Sequence, residues 1–237
     1  MPGISTPLGR APWCVHPPLG PDSRADCVQG VRTRLGAEPQ AYRVVGVHSL
    51  GTSVSHSIDR VRYDQAPGME GYLAAVVKNA ELWKGVHRTA AVDDHQVGRL
   101  RAAAGPMRLL ALSEDWCMDA VSTLPVVGRL AEQAGVEFRI LGRDANPDIM
   151  DAHLTGGTRS IPVVIVVDEA GSEWAWWGPR PAAVQRWMRA EGAFLAKEDR
   201  TRRKRAWYAR DRGRSTVREV VETVERAARR RSESPDA

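Results

Sequence analysis

Glu114-Asp115-Trp116-Cys117-Met118-Asp119-Ala120 lies between an apolar run, Met107 to Leu112, and a stretch of helical periodicity, Asp119 to Ala134. That is a strand running into a helix, with a cysteine at the join. The first backbone N–H groups of a helix have no partner within it, so a thiol placed there meets a local field that favours its anion. Glu114, Asp115 and Asp119 act against that field, since nearby negative charge disfavours a further anion. The sign of the balance depends on geometry.

Downstream, Val136 to Leu141 reads as a second strand, which makes the opening a βαβ unit. Asn146 offers a helix cap with Pro147 in the first turn, and the short helix through Leu154 stops at Gly156-Gly157. Ile161 to Val167 is apolar enough for a buried strand, with Asp168 to Ser172 as a turn and Glu173 to Trp177 as its antiparallel hairpin partner. Trp174, Trp176 and Trp177 are expected to pack on both sides of a sheet. Gly178-Pro179-Arg180-Pro181 breaks the chain before a helix whose Val184, Trp187, Met188 and Leu195 share a face. The order is βαβαββα.

Upstream, residues 1–68 hold eight of the 15 prolines and one strand-like stretch, Tyr42 to Leu50. So little apolar surface does not offset ordering entropy. This segment is expected to be disordered, or to stem from a start codon placed too far upstream. Residues 69–104 form a helical amino-terminal extension: Leu73, Val76, Val77, Leu82 and Trp83 are spaced for one face, and a second helix runs from Asp93 to Ala104. The α/β domain spans 105–196. Residues 197–237 form a basic helical carboxy-terminal extension with 14 Lys+Arg against 8 Asp+Glu, the rest of the chain holding 20 against 21. Val217, Val220, Val221 and Val224 form an apolar stripe there, from Ser215 to about Arg230. Thr201 to Arg214 reads as a solvated helical face docked by Trp207, because Glu198, Asp199 and Asp211 dilute its charge. No nucleic-acid partner is expected.

No window approaches the roughly 18 apolar residues of a membrane span, and no apolar core of a secretory signal stands near the start. A cytoplasmic location without membrane contact is expected. Cys14, Cys27 and Cys117 are too few and too scattered for a disulfide framework. Cys14, His16 and Cys27 lack zinc spacing. No phosphate-binding loop, dinucleotide fingerprint or metalloprotease helix is present, so no metal and no cofactor are expected.

Three features together resemble the thioredoxin superfamily: Trp116-Cys117-Met118-Asp119 at the strand-to-helix join, Pro125 inside the following helix, and Ser160-Ile161-Pro162 before a buried strand. More narrowly, Glu114-Asp115-Trp116-Cys117-x-Asp119-Ala120, Asp144-x-Asn146-Pro147 and Arg159-Ser160-Ile161-Pro162 look like a group of bacterial thioredoxin family proteins with one cysteine in the motif. The resemblance implies an α/β thioredoxin-like fold with helical extensions at both ends. It also implies a cis-proline loop at Ile161-Pro162 facing Cys117, with Trp116 flanking the groove and Asp115 and Asp119 modulating the thiol.

The departure from the family pattern bears on mechanism. A second motif cysteine would fall at position 120, where the residue is Ala120. Without it a mixed disulfide on Cys117 has no internal nucleophile to resolve it. Peroxiredoxin chemistry is disfavoured by Leu110 and Glu114 at the positions of its proline and hydroxyl residue, and phosphatase chemistry by Thr123 where an arginine is needed. The reading is a monothiol protein that forms mixed disulfides with protein or low-molecular-weight thiols through Cys117. The alternative is a thioredoxin-fold binding module without catalysis, with Cys117 as a semi-buried hydrophobe.

Overall fold

Val163–Val167 is a run of five β-branched residues, and it forms a strand buried at every position. In chain order the strands are β1 (Arg108–Ser113), β2 (Phe138–Gly142), β3 (Val163–Val167) and β4 (Glu173–Trp177). The computed structural model describes residues 57–234. The sheet order is β2-β1-β3-β4. β1 runs parallel to β2, with Leu109 opposite Phe138, and antiparallel to β3, with Leu109 opposite Val166. β3 and β4 form the expected hairpin, with an irregularity between Val166 and Val167. Continuous apolar runs at β1 and β3 fit their central places, since a central strand is covered on both faces.

The helices are α1 (Arg60–Gln65), α2 (Met69–Ala75), α3 (Ala80–Thr89), α4 (Asp94–Ala104), α5 (Met118–Ala134), α6 (Pro147–Asp151), α7 (Ala182–Ala190), α8 (Lys197–Asp211) and α9 (Arg214–Glu233). The long α5 crosses from β1 to β2, carries Pro125 within it and ends at left-handed Gly135. α9 packs against β3, β4, α4 and α5. With β1–α5–β2, α6 and the β3–β4 hairpin, this is the thioredoxin-like α/β architecture, with extra helices.

The structure differs from the sequence reading at three places. Residues 57–68 belong to the folded body, upstream of the expected start at Met69. The Ile58 N–H donates to the Gly171 carbonyl, and buried Tyr63 on α1 donates its hydroxyl to the Leu109 carbonyl. The Pro67 carbonyl accepts from the Ile140 N–H, so this segment satisfies part of the edge strand β2. Three anchors spread over ten residues escape a test that looks for periodicity. Residues 1–56, including Cys14, Cys27 and the strand-like stretch Tyr42 to Leu50, lie outside the described residues.

The apolar face expected from Leu73 to Trp83 is split between two helices. α2 ends at extended Val76, and α3 begins after left-handed Asn79. The Asp115 carboxylate accepts from the Val77 and Lys78 N–H groups, at 3.1 and 2.8 Å, and fixes the break. Buried Trp83 donates its indole N–H to the Asp115 carbonyl.

The third difference concerns the carboxy-terminal boundary. α9, placed outside the domain by the sequence reading, covers β3 and β4, whereas α7 buries only Val184. α9 buries Val217, Val220, Val221 and Val224, each worth about 1.5–3 kcal/mol relative to exposure. The residues between β4 and α9 therefore form an excursion from the fold rather than its closing helix.

Candidate functional site

Cys117 is the N-cap residue of α5, in extended conformation at φ −80°, and makes no side-chain cap. Its N–H donates to the Glu114 carbonyl at 3.0 Å, which closes the turn that delivers the thiol. The Sγ lies 3.4 Å from the Ile161 carbonyl oxygen and donates to it. The Ile161–Pro162 peptide bond is cis. Gly178 stands behind this loop at φ +138°, where an added Cβ would run into the Pro162 carbonyl. Cys117, Ile161 and Pro162 are thus brought together.

Cys117 is buried, at 8% exposure. Burial, the largest influence, pushes its thiol up, and the Asp119 charge adds to this. The Ala120 and Asp119 backbone N–H groups and the Lys204 charge pull down without prevailing, so the thiol stands above its ordinary range. At rest Cys117 is a protonated thiol bonded to a carbonyl. Its anion, once formed, is held by the two helix-start N–H groups.

Trp116 is exposed at 42% on the rim beside the thiol. Its ring carries the Arg143 guanidinium 4.9 Å from the centroid. Arg143 itself pairs with Asp144 and donates to the Arg159 carbonyl. Glu114 accepts from the Asp144 N–H at 2.9 Å, which ties the loop after β2 to the thiol turn. Asn146 occupies the N-cap position of α6 but does not cap it; its amide donates to the Gly142 carbonyl instead.

The two expected modulating carboxylates separate. Asp115 turns away to the α2–α3 break. Asp119 is buried, and its oxygens accept from the Arg180 Nε at 2.7 Å, the Lys204 Nζ at 2.9 Å and the Tyr208 hydroxyl at 3.0 Å. Burial beside this carboxylate pushes the Tyr208 phenol far up, so it stays a donor. Lys204 and Tyr208 are one helical turn apart on α8, and so reach the same carboxylate.

Arg180, Lys204 and Tyr208 were not found by the sequence reading. The sequence presents the basic stretch as a solvated face docked by Trp207. The anchor is Tyr208, and Trp207 packs edge-on against it with centroids 5.4 Å apart. The available signal was an i, i+4 Lys-Tyr pair in a helix with little else apolar, which is weak until the buried carboxylate opposite is known. Among the described residues no group of three or more His, Cys, Asp or Glu is arranged to hold a metal ion. No helix there is long and apolar enough to cross a membrane.

A thioredoxin family model matches residues 67–200, which include Cys117 and Pro162. Two solved structures are similar to this chain. One is a protein of unknown function from Pseudomonas aeruginosa, 19% identical, with a TM-score of 0.55, covering 69% of this chain and 94% of its own. The other is an HIV epitope-scaffold, 18% identical, with a TM-score of 0.54, covering 71% of this chain and 98% of its own. At such identities the likeness shows the fold alone. No curated protein matches the chain.

Proposed function

The chain belongs to the thioredoxin family, and on that premise we propose that it acts as a monothiol protein, forming mixed disulfides through Cys117. The observation that carries this reading is the placement of the sulfur. It stands at the start of α5, with helix N–H groups behind it and the Ile161-Pro162 loop 3.4 Å in front. In the exchange, the Cys117 thiolate attacks one sulfur of a disulfide R–S–S–R. A new S–S bond forms to R–S, the old one breaks, and the departing R–S⁻ takes a proton from solvent. Ala120 leaves the product without an internal resolving thiol, so release requires a second external thiol.

Loss of the Ile161 hydrogen bond and deprotonation both precede attack, so reaction is slow at neutral pH and accelerates into the alkaline range. The rate of Cys117 alkylation against pH should rise at higher pH than that of a free cysteine peptide. The natural sequence should fail to reduce insulin disulfides with a thioredoxin reductase system, and the Ala120→Cys variant should close an intramolecular disulfide. Robust dithiol reductase activity in the natural chain would overturn the reading. Burial and the raised thiol favour a second one, a thioredoxin-fold binding module, and this becomes the better account if Cys117 forms no mixed disulfide at any accessible pH.

A further inference from the structure

Asp119 holds two cations. Among the described residues it is the one carboxylate within ion-pair distance of either Arg180 or Lys204. With the carboxylate charged, the cluster carries one excess positive charge. That charge is largely withdrawn from water, since the Arg180 and Lys204 side chains are 18% and 17% exposed. An uncompensated charge in such a place costs stability unless something pairs with it. Burying Asp119 needs one cation, and the Tyr208 hydroxyl already satisfies its other oxygen.

Neither cation is used up. Lys204 spends one of its three donors on Asp119. Arg180 directs Nε to Asp119 and another nitrogen to the Gln185 amide oxygen, which holds the guanidinium in place. The cluster stands beside the thiol, because Asp119 is two residues from Cys117 in the first turn of α5 and the Lys204 charge reaches the sulfur. On the other side of the thiol, Asp115 and Glu114 accept backbone N–H groups and keep their negative charges. Among the described residues, the surroundings of Cys117 are therefore polarised, negative on the Glu114–Asp115 side and with spare positive charge on the α7–α8 side.

The geometry points to an anion-binding subsite formed by Arg180 and Lys204 beside Cys117, which receives the carboxylate of an acidic low-molecular-weight thiol or disulfide. This inference rests on the proposed thiol exchange and names the class of its partner. The carboxylate pairs with the spare charge while the partner's sulfur lies against Cys117, so both the attack and the stability of the mixed disulfide depend on the partner's charge. A neutral partner gains nothing from the subsite, and a cationic one is repelled.

The test measures mixed-disulfide formation on the Cys117 peptide by mass spectrometry in the full chain. The probes are three small disulfides: that of mercaptopropionate, which is anionic, cystamine, which is cationic, and hydroxyethyl disulfide, which is neutral; each rate is divided by that of a free cysteine peptide with the same probe, which cancels the difference in leaving thiol. One half-buried unit charge at contact distance should favour the anionic over the cationic probe by about tenfold or more at low salt, and the preference should shrink as ionic strength rises. Lys204→Met should abolish most of it, and Lys204→Arg should restore it. Should Lys204→Met fail to fold, Lys204→Gln takes its place, because the chain's net charge of +5 would by itself give some salt-dependent preference for an anion. Equal rates with all three probes at low salt would overturn the subsite and leave the exchange reading intact. No adduct with any probe would overturn the exchange reading, and the subsite with it.

Discussion

The β3–β4 hairpin and the chain that follows it, residues 178–212, are built on opposite principles. Apart from Glu173 at the start of β4, the hairpin strands are made of apolar residues in ladder register, buried at every β3 position and covered by α9. The excursion after it holds α7, a 3₁₀ turn at Gly192–Phe194 and α8, but few anchors. Val184 is the buried residue of α7 and Tyr208 that of α8, while Phe194 between them is 85% exposed. Its ends are marked by Gly178 at φ +138° and by Arg212 and Gly213, both left-handed. A region held by a distributed apolar face opens only with the whole domain, whereas one pinned at a few polar points can open by itself. The pin here is Asp119, beside the thiol, so the loosest part of the body is fastened at its most chemical point.

The largest expected effect tests whether α9 belongs to the body. Ending the chain at Ala196, the boundary read from sequence, would remove the α9 valines from over β3 and β4 and leave Trp177 without its Glu219 partner. Such a chain should lose cooperative thermal unfolding. A sharp transition near that of the full chain would break the comparison, because α9 would then be as dispensable as the excursion.

A smaller effect should separate the two regions by their dynamics. Tyr208→Phe removes the donor to the Asp119 Oδ1, and a buried acceptor left without its bond costs about 1–3 kcal/mol. Because α8 has few other anchors, that loss should appear as faster amide hydrogen exchange in 197–211 while 214–233 keeps its protection. Equal acceleration in both helices would show that the excursion opens only with the core.

The sequence revealed the hairpin and not the excursion's anchor for a physical reason. Five consecutive β-branched residues state their burial locally, as do the valines of α9. Lys204 and Tyr208 are significant only because Asp119 is buried opposite them, 85 and 89 residues away in the chain. The Cys117 turn was legible because its strand, helix and proline loop each have local signatures. The split of Asp115 from Asp119 was not, since four residues along the chain reverse a side chain's direction once a strand becomes a helix.

The smallest expected effect lies on the hairpin's other side, where His153 joins α6 to β4. The ring is buried, packs edge-on against Trp176 with centroids 5.6 Å apart, and places Nδ1 2.7 Å from the Ile149 carbonyl and Nε2 2.9 Å from the Glu173 carboxylate. Both neighbours accept, so both ring nitrogens must donate, which requires the imidazolium. Burial, the largest influence, pulls the His153 value down. The Glu173 hydrogen bond and charge, with the Ile149 carbonyl, together overcome it and leave the value raised. Asp59, Arg62 and Asp148 line the adjacent cleft, where Arg62 and Asp148 neutralise each other at 2.6 Å and Asp59 accepts the Val61 N–H, so Glu173 is the charge bonded to the ring. A histidine raised on folding stabilises the fold fully below its unfolded value, about 6.5, and loses that contribution as pH rises through the folded value. Above it the neutral ring keeps one N–H, and either Ile149 or Glu173 loses its donor. The stability difference between the natural chain and His153→Gln, measured by urea unfolding, should therefore be greatest near pH 6 and shrink toward pH 9. A difference that grows with pH would mean that the ring is neutral at rest and that Glu173 is satisfied by other groups.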